Sequence, residues 1–156
     1  MSVSKILAVA LLLASGALAQ QPAPVLRGTW TATAGPNRTL SGAWSAQTLP
    51  NRPNGVIGSW TLLNDAHLIM MEGTWSAEKS ARGWQGTWSA RVLTGRSPSG
   101  RPSYGAPISG SWQTETPASD IRTFSELLQR TLEKEVAGSW RRGALAGYWW
   151  LKGSTR

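Results

Sequence analysis

Glycine, any residue, tryptophan: this triplet occurs eight times in the 156 residues of the chain. The copies are Gly28-Thr29-Trp30, Gly42-Ala43-Trp44, Gly58-Ser59-Trp60, Gly73-Thr74-Trp75, Gly86-Thr87-Trp88, Gly110-Ser111-Trp112, Gly138-Ser139-Trp140 and Gly147-Tyr148-Trp149. They take up eight of the ten tryptophans, so one structural unit is being used many times. An apolar residue stands two positions before each glycine: Leu26, Leu40, Val56, Met71, Trp84, Ile108, Val136 and Leu145. Two positions after each tryptophan stands Ala32, Ala46, Leu62, Ala77, Ala90, Thr114, Arg142 or Leu151. Residues two apart share a face of an extended strand, so one face reads apolar, Gly, Trp, small. The other face is small and polar, as in Thr29 and Thr31, Ser41 and Ser45, or Thr87 and Ser89. Such alternation specifies a half-buried β-strand.

Glycine weakens a strand interior, so its recurrence beside a large ring needs a cause. An indole needs a hollow, and a glycine on the neighbouring strand supplies one. Strands offset by two residues would lay each indole over its neighbour's glycine. Turn clusters separate the strands: Ala34–Asn37, Pro50–Asn54, the tight pair Asn64-Asp65, and Glu78–Gly83. Spacings of 14, 16, 15 and 13 residues between the first five repeat tryptophans fit a strand plus a short connection, and are too irregular for a solenoid. Eight strands, each with one apolar face, point to an all-β fold: an eight-stranded antiparallel up-and-down barrel, with a two-sheet sandwich as the alternative.

Two segments break the pattern. Residues 94–107 are rich in Gly, Ser, Pro and Arg and read as a long loop. Residues 117–135 carry Ile121, Phe124, Leu127, Leu128 and Leu132 as a helical stripe, with Thr116-Pro117 as its expected start and Glu126 and Arg130 paired on the wet side. This helix falls between the sixth and seventh strands.

Residues 1–19 read as a cleaved secretory signal: Lys5, the apolar run Ile6–Ala14, and small residues at Ala17-Leu18-Ala19. They are too short for a membrane span. Residues 20–156 then form one all-β domain, periplasmic or extracellular. The chain has no cysteine, which excludes a disulfide framework and thiolate metal sites and leans toward a bacterial source. Without Lys5 the domain holds fifteen basic and eight acidic residues, an excess that favours acidic partners.

In an up-and-down barrel the connections sort to two ends. The turns near Gly35, Asn64-Asp65 and Arg142-Gly143 share one end with residues 94–107. The connections at 50–54 and 78–83 share the other with the helix, which would plug that mouth. The open rim then gathers Arg38, Arg91, Arg96, Arg101, Arg141 and Arg142, with Tyr104 and His67 nearby and Asp65 opposing them. Of the tryptophans outside the repeat, Trp84 shares the face of Trp88 and belongs to the core. Trp150 points opposite Trp149 and is a candidate for an exposed contact.

Leu26-Arg27-Gly28-Thr29-Trp30 resembles the opening strand of lipocalins and their calycin relatives, and of avidin-type barrels. The resemblance implies an eight-stranded barrel plugged at one end, binding a small hydrophobic molecule at the other. It also implies that Trp30 packs the closed end. Here the triplet recurs in every strand and the helix precedes strand seven instead of following the last, so no ligand contact carries over.

Catalysis finds little support in these residues. His67 is the single histidine, beside Asp65, and no nucleophile elbow, phosphate loop or metal-ligand spacing is present. The expectation is therefore a non-catalytic barrel without cofactor or metal. Its ligand is a small apolar or anionic molecule, held by Arg38, His67, Arg96, Arg101, Tyr104, Arg141, Arg142 and Trp150. Anionic lipid or acidic glycan are the other candidate partners, and export argues against nucleic acid. Two alternatives stand beside it: an envelope scaffold with no small ligand, and a small outer-membrane barrel with its Gly-Trp face turned to lipid.

Overall fold

The computed structural model describes residues 25–36, 39–115 and 121–154. The expected signal, the expected helix start Thr116-Pro117 and Arg38 lie outside these. The elements in chain order are β1 (Val25–Thr33), β2 (Thr39–Leu49), β3 (Arg52–Leu63), β4 (Ile69–Ser80), β5 (Gly83–Arg96), β6 (Pro102–Tyr104), β7 (Ile108–Thr114), α1 (Phe124–Glu133), β8 (Val136–Arg142) and β9 (Leu145–Ser154). Every strand except β6 carries one Gly-x-Trp. These eight pair antiparallel with their chain neighbours, and β9 returns to β1. The fold is thus a closed eight-stranded up-and-down barrel and not a sandwich. Closure removes the free edges that an open sheet would expose.

Within each hairpin, glycine faces tryptophan: Gly28 pairs with Trp44 and Trp30 with Gly42, and the same crossing recurs in β3–β4, β5–β7 and β8–β9. Between hairpins the ladder slips by two residues, so that Trp44 faces Trp60, Trp75 faces Trp88 and Trp112 faces Trp140. These slips provide the stagger that lets tilted strands close into a barrel. They also sort the indoles into two layers, each supplied by alternate strands. Trp30, Trp60, Trp88 and Trp140 form one; Trp44, Trp75, Trp112 and Trp149 form the other. In both layers the rings meet edge to face, with centroids 5.5–6.4 Å apart.

The glycines house these rings as the period requires. A methyl group at Gly28 would stand 2.7 Å from Trp44 Nε1, and one at Gly42 would stand 2.7 Å from Trp30 Nε1. Each repeat glycine also abuts a backbone carbonyl of the strand on its other side, such as Lys152 beside Gly28 and Thr61 beside Gly42. Five of the housed indoles reach across the glycine and donate to that carbonyl. Trp30 Nε1 donates to Thr61 O at 3.0 Å, Trp44 to Lys152 O at 3.1 Å, Trp75 to Ser45 O at 3.1 Å, Trp112 to Ser76 O at 3.0 Å and Trp140 to Thr33 O at 3.0 Å. Trp149 donates instead to Ser139 O at 2.9 Å. The indoles therefore lie along the inner wall, their polar edges tied to backbone, and do not project as spokes to the axis.

The helix closes one end, although it starts later than its sequence pattern implies. Thr123 is the N-cap: its hydroxyl accepts from Glu126 N at 3.2 Å, while the Glu126 carboxylate accepts from Arg122 N at 2.7 Å. This reciprocal capping ties down the first turn and fixes the start at Phe124. Phe124, Leu127, Leu128 and Thr131 are buried, and Leu132, at the edge of the expected stripe, is 38% exposed and lies beside Gly153 of β9. Phe124 packs on Trp75 and Trp84, with centroids at 5.7 and 4.9 Å. Trp84, buried as expected, exchanges hydrogen bonds with Thr114 through its backbone N and O. The layer of Trp44, Trp75, Trp112 and Trp149 thus lies next to the helix. Trp30 stands in the other layer, toward the open end, because Leu26 precedes it on a strand running away from the plug. It does not pack the closed end.

Two connections also differ from their sequence reading. The β3–β4 turn is not a two-residue one. Asn64 N donates to Leu68 O and His67 N to Asn64 O, while Asn64 Oδ1 accepts from Ala66 N and Leu68 N. This three-residue loop needs a left-handed residue at its last position, and His67 takes it at φ 60°. The segment 94–107 is not a plain loop either. Ser97 and Arg101 close a second turn of the same kind, with Gly100 at φ 78°, and β6 pairs with the end of β5. The β5–β7 hairpin thus overhangs the open rim.

Candidate functional site

The wall-hugging rings leave space between them. A cavity of about 290 Å³ is lined by all eight repeat tryptophans. Phe124, Leu127, Leu128 and Thr131 of α1 form its floor, and Leu40, Leu62, Met71, Ile108 and Leu145 surround its upper part. Six of the eight indole N–H groups are taken by backbone carbonyls. Trp60 Nε1 is buried without an acceptor, but it is directed at Gly73 in the wall and not at the cavity. The interior consequently offers hydrocarbon and ring surface and almost no hydrogen-bonding group.

One charged residue lines this cavity, Arg142. It holds the last position of β8, on the face of Val136, Gly138 and Trp140, and its side chain is exposed at the rim beside Leu145. A guanidinium there can pair with a carboxylate, sulfate or phosphate in the plane of its fork.

The other expected site residues do not converge on the cavity. Arg96 and Arg101 sit on the overhanging hairpin, where Arg96 Nη1 donates to Gly100 O at 3.2 Å and Arg101 N to Ser97 Oγ at 3.1 Å. Tyr104 lies on the outer wall: its hydroxyl donates to Glu72 Oε2 at 2.5 Å, and Arg91 stands 5.7 Å over its ring. That hydrogen bond to the carboxylate, ahead of desolvation and the Glu72 charge, raises the phenol's pKa above its ordinary value, while Arg96 and Arg91 pull the other way. Arg141 points outward, next in line to Arg142, because neighbouring strand residues alternate faces. His67 is exposed on its turn, with Nδ1 3.3 Å from Asp65 O. Trp150 is half-buried on the outer wall between Thr31 and Ala137. Arg142 was legible from its face-sharing with Trp140, and the apolar lining from the repeat itself. Glu72, a second acid at this end besides Asp65, was not singled out from sequence; its pairing opposite Arg91 brings it there.

Among the described residues no cluster of three or more His, Cys, Asp or Glu side chains could hold a metal ion. The outer wall is polar, with hydroxyl pairs Ser45–Ser59 at 2.7 Å, Thr74–Ser89 at 3.1 Å and Ser76–Thr87 at 3.1 Å, and it bears Arg27, Glu72, Glu78, Arg91, Arg141 and Lys152. The outer-membrane alternative placed the Gly-Trp face on lipid; that face is the interior. Comparison with known proteins finds no matching family model, no matching curated protein and no matching solved structure.

Proposed function

We propose that this protein binds, without catalysis, a small amphiphile with an apolar body and one anionic group. The body enters the tryptophan-walled cavity and the anionic group stays at the rim on Arg142. The observation carrying this reading is the pairing of an interior almost bare of polar groups with a single arginine where it opens. Ligand sites of this kind are mostly apolar, with few polar groups that fix orientation. The volume of about 290 Å³ favours a short chain or one small ring system over a long acyl chain. The reading takes residues 1–19 as an export signal, which places the ligand outside the cytoplasm.

Octanoate and octanol separate the two halves of this proposal. By titration calorimetry both bind the protein, with the negative heat-capacity change of apolar burial. Octanoate binds more tightly, and Arg142→Ala weakens it on the order of tenfold, as expected for loss of a charge-assisted hydrogen bond. Octanol binding is unchanged by that substitution. Failure of both ligands to bind favours the scaffold reading; equal effects of Arg142→Ala on both remove the arginine from the site.

A further inference from the structure

The open end carries a second feature that extends beyond the cavity and shares only Arg142 and Leu145 with it. Three of the tips at this end are adjacent to one another: the β3–β4 turn, the overhanging β5–β6 hairpin and the β8–β9 turn. Leu68 on the first is 63% exposed and Leu145 on the third is 60% exposed, with Met70 and Val92 also exposed on the adjoining strands. Between them stand Arg91, Arg96, Arg101, Arg141 and Arg142, against only Asp65 and Glu72 among the described residues. Glu72 accepts from the Tyr104 hydroxyl and stands opposite Arg91, so one arginine has a local counter-charge and the others outnumber the acids. Elsewhere acids and bases interleave: Glu126, Glu133 and Glu135 stand among Arg122, Arg130 and Lys134 around the helix.

From this arrangement we infer that the open end docks on an anionic lipid bilayer. The arginines meet headgroup phosphates, and Leu68, Met70, Val92 and Leu145 enter the boundary between headgroups and chains. Charge alone would equally suit an acidic polysaccharide. The exposed leucines decide for a bilayer, since a polysaccharide gives them no apolar surface to enter. Apolar burial and attraction to anionic lipid add in such surface binding, and arginine stems reach past apolar neighbours to the headgroups. Docking in this orientation would bring the cavity mouth against the membrane. The inference stands on the rim surface and does not require the cavity to be occupied.

Vesicles of phosphatidylcholine, with and without phosphatidylglycerol, test it by co-sedimentation of the full chain. Whatever residues 1–24 contribute is common to all variants, so the comparison between variants carries the result. Binding should rise with phosphatidylglycerol and fall with salt. Arg96→Glu with Arg101→Glu should weaken it on the order of tenfold or more, given the usual contribution of each cation near an anionic surface. Leu68→Ser with Leu145→Ser should remove severalfold of the part that survives high salt. Arg82→Glu with Lys134→Glu, near the plugged end, should change it less than twofold. Equal losses from both ends, or rim variants that bind like the unsubstituted chain, would overturn the proposal. So would insensitivity to the leucine substitutions combined with release by a soluble acidic polysaccharide. Octanoate titration of the Arg96/Arg101 variant reports the cavity separately, so failure here and failure of the ligand proposal are distinguishable.

Discussion

A methyl group added at Gly58 would meet the indole of Trp75 on one side and the carbonyl of Ser45 on the other. A ring can sometimes shift to admit a methyl, but a carbonyl fixed in a ladder cannot. The glycine of the triplet therefore serves two purposes. It admits the partner's indole, and it lets the next strand come close enough for that indole to reach a carbonyl there, as Trp75 reaches Ser45 O. A Gly58→Ala substitution should cost about 3 kcal/mol of stability through overpacking. Gly95→Ala, at a position with nothing within 4 Å of the added methyl, should stay within about 0.5 kcal/mol. Urea denaturation of both variants measures the difference, and similar costs at the two sites would refute the housing role. The indole N–H matters as much as the ring. Six of these donors are paired with backbone carbonyls, which avoids the cost of burying them unpaired and leaves the cavity surface apolar; Trp60 Nε1 bears that cost.

The helix carries two start signals in its sequence, and the fold uses the second. Thr116-Pro117 looks like a helix start, yet Thr123-Phe124-Ser125-Glu126 contains the capping pattern that the fold uses. Thr123→Ala should lower stability by about 1 kcal/mol, read from the same denaturation curves; no loss would mean that packing of Phe124 on Trp84 alone holds the first turn. The strands were legible from their period of two, and so was the crossing of glycine and tryptophan within hairpins. The two-residue slip between hairpins was not. Because every strand repeats the same inward pattern, a slip of two keeps the apolar face inward and local sequence is indifferent to it; closure of the ring decides. The overhanging hairpin was hidden for another reason. Gly95, Pro98, Gly100 and Pro102 read as loop residues, while the pairing of Leu93 with Tyr104 is a property of the folded ladder. Loop position groups the rim arginines, but the face of the strand decides among them: Arg142 shares the face of Trp140 and lines the cavity, and its neighbour Arg141 does not.

For the molecule as a whole, the repeat that looks like a row of binding tryptophans is first a wall. Two layers of edge-to-face indoles, six of the eight tied to backbone carbonyls, line the wall and leave space between them. The helix seals one end and the other opens beside Arg142 and Leu145. The account depends above all on that interior being a real, dry, apolar space of about 290 Å³. Apolar cavities of this order remain free of water and take up xenon. A crystal of the protein held under xenon pressure should show xenon between the indole layers, above Phe124 and below Leu145, with the surrounding tryptophans unmoved. An interior that takes up no xenon, or in which the tryptophans have closed over the space, would contradict the account.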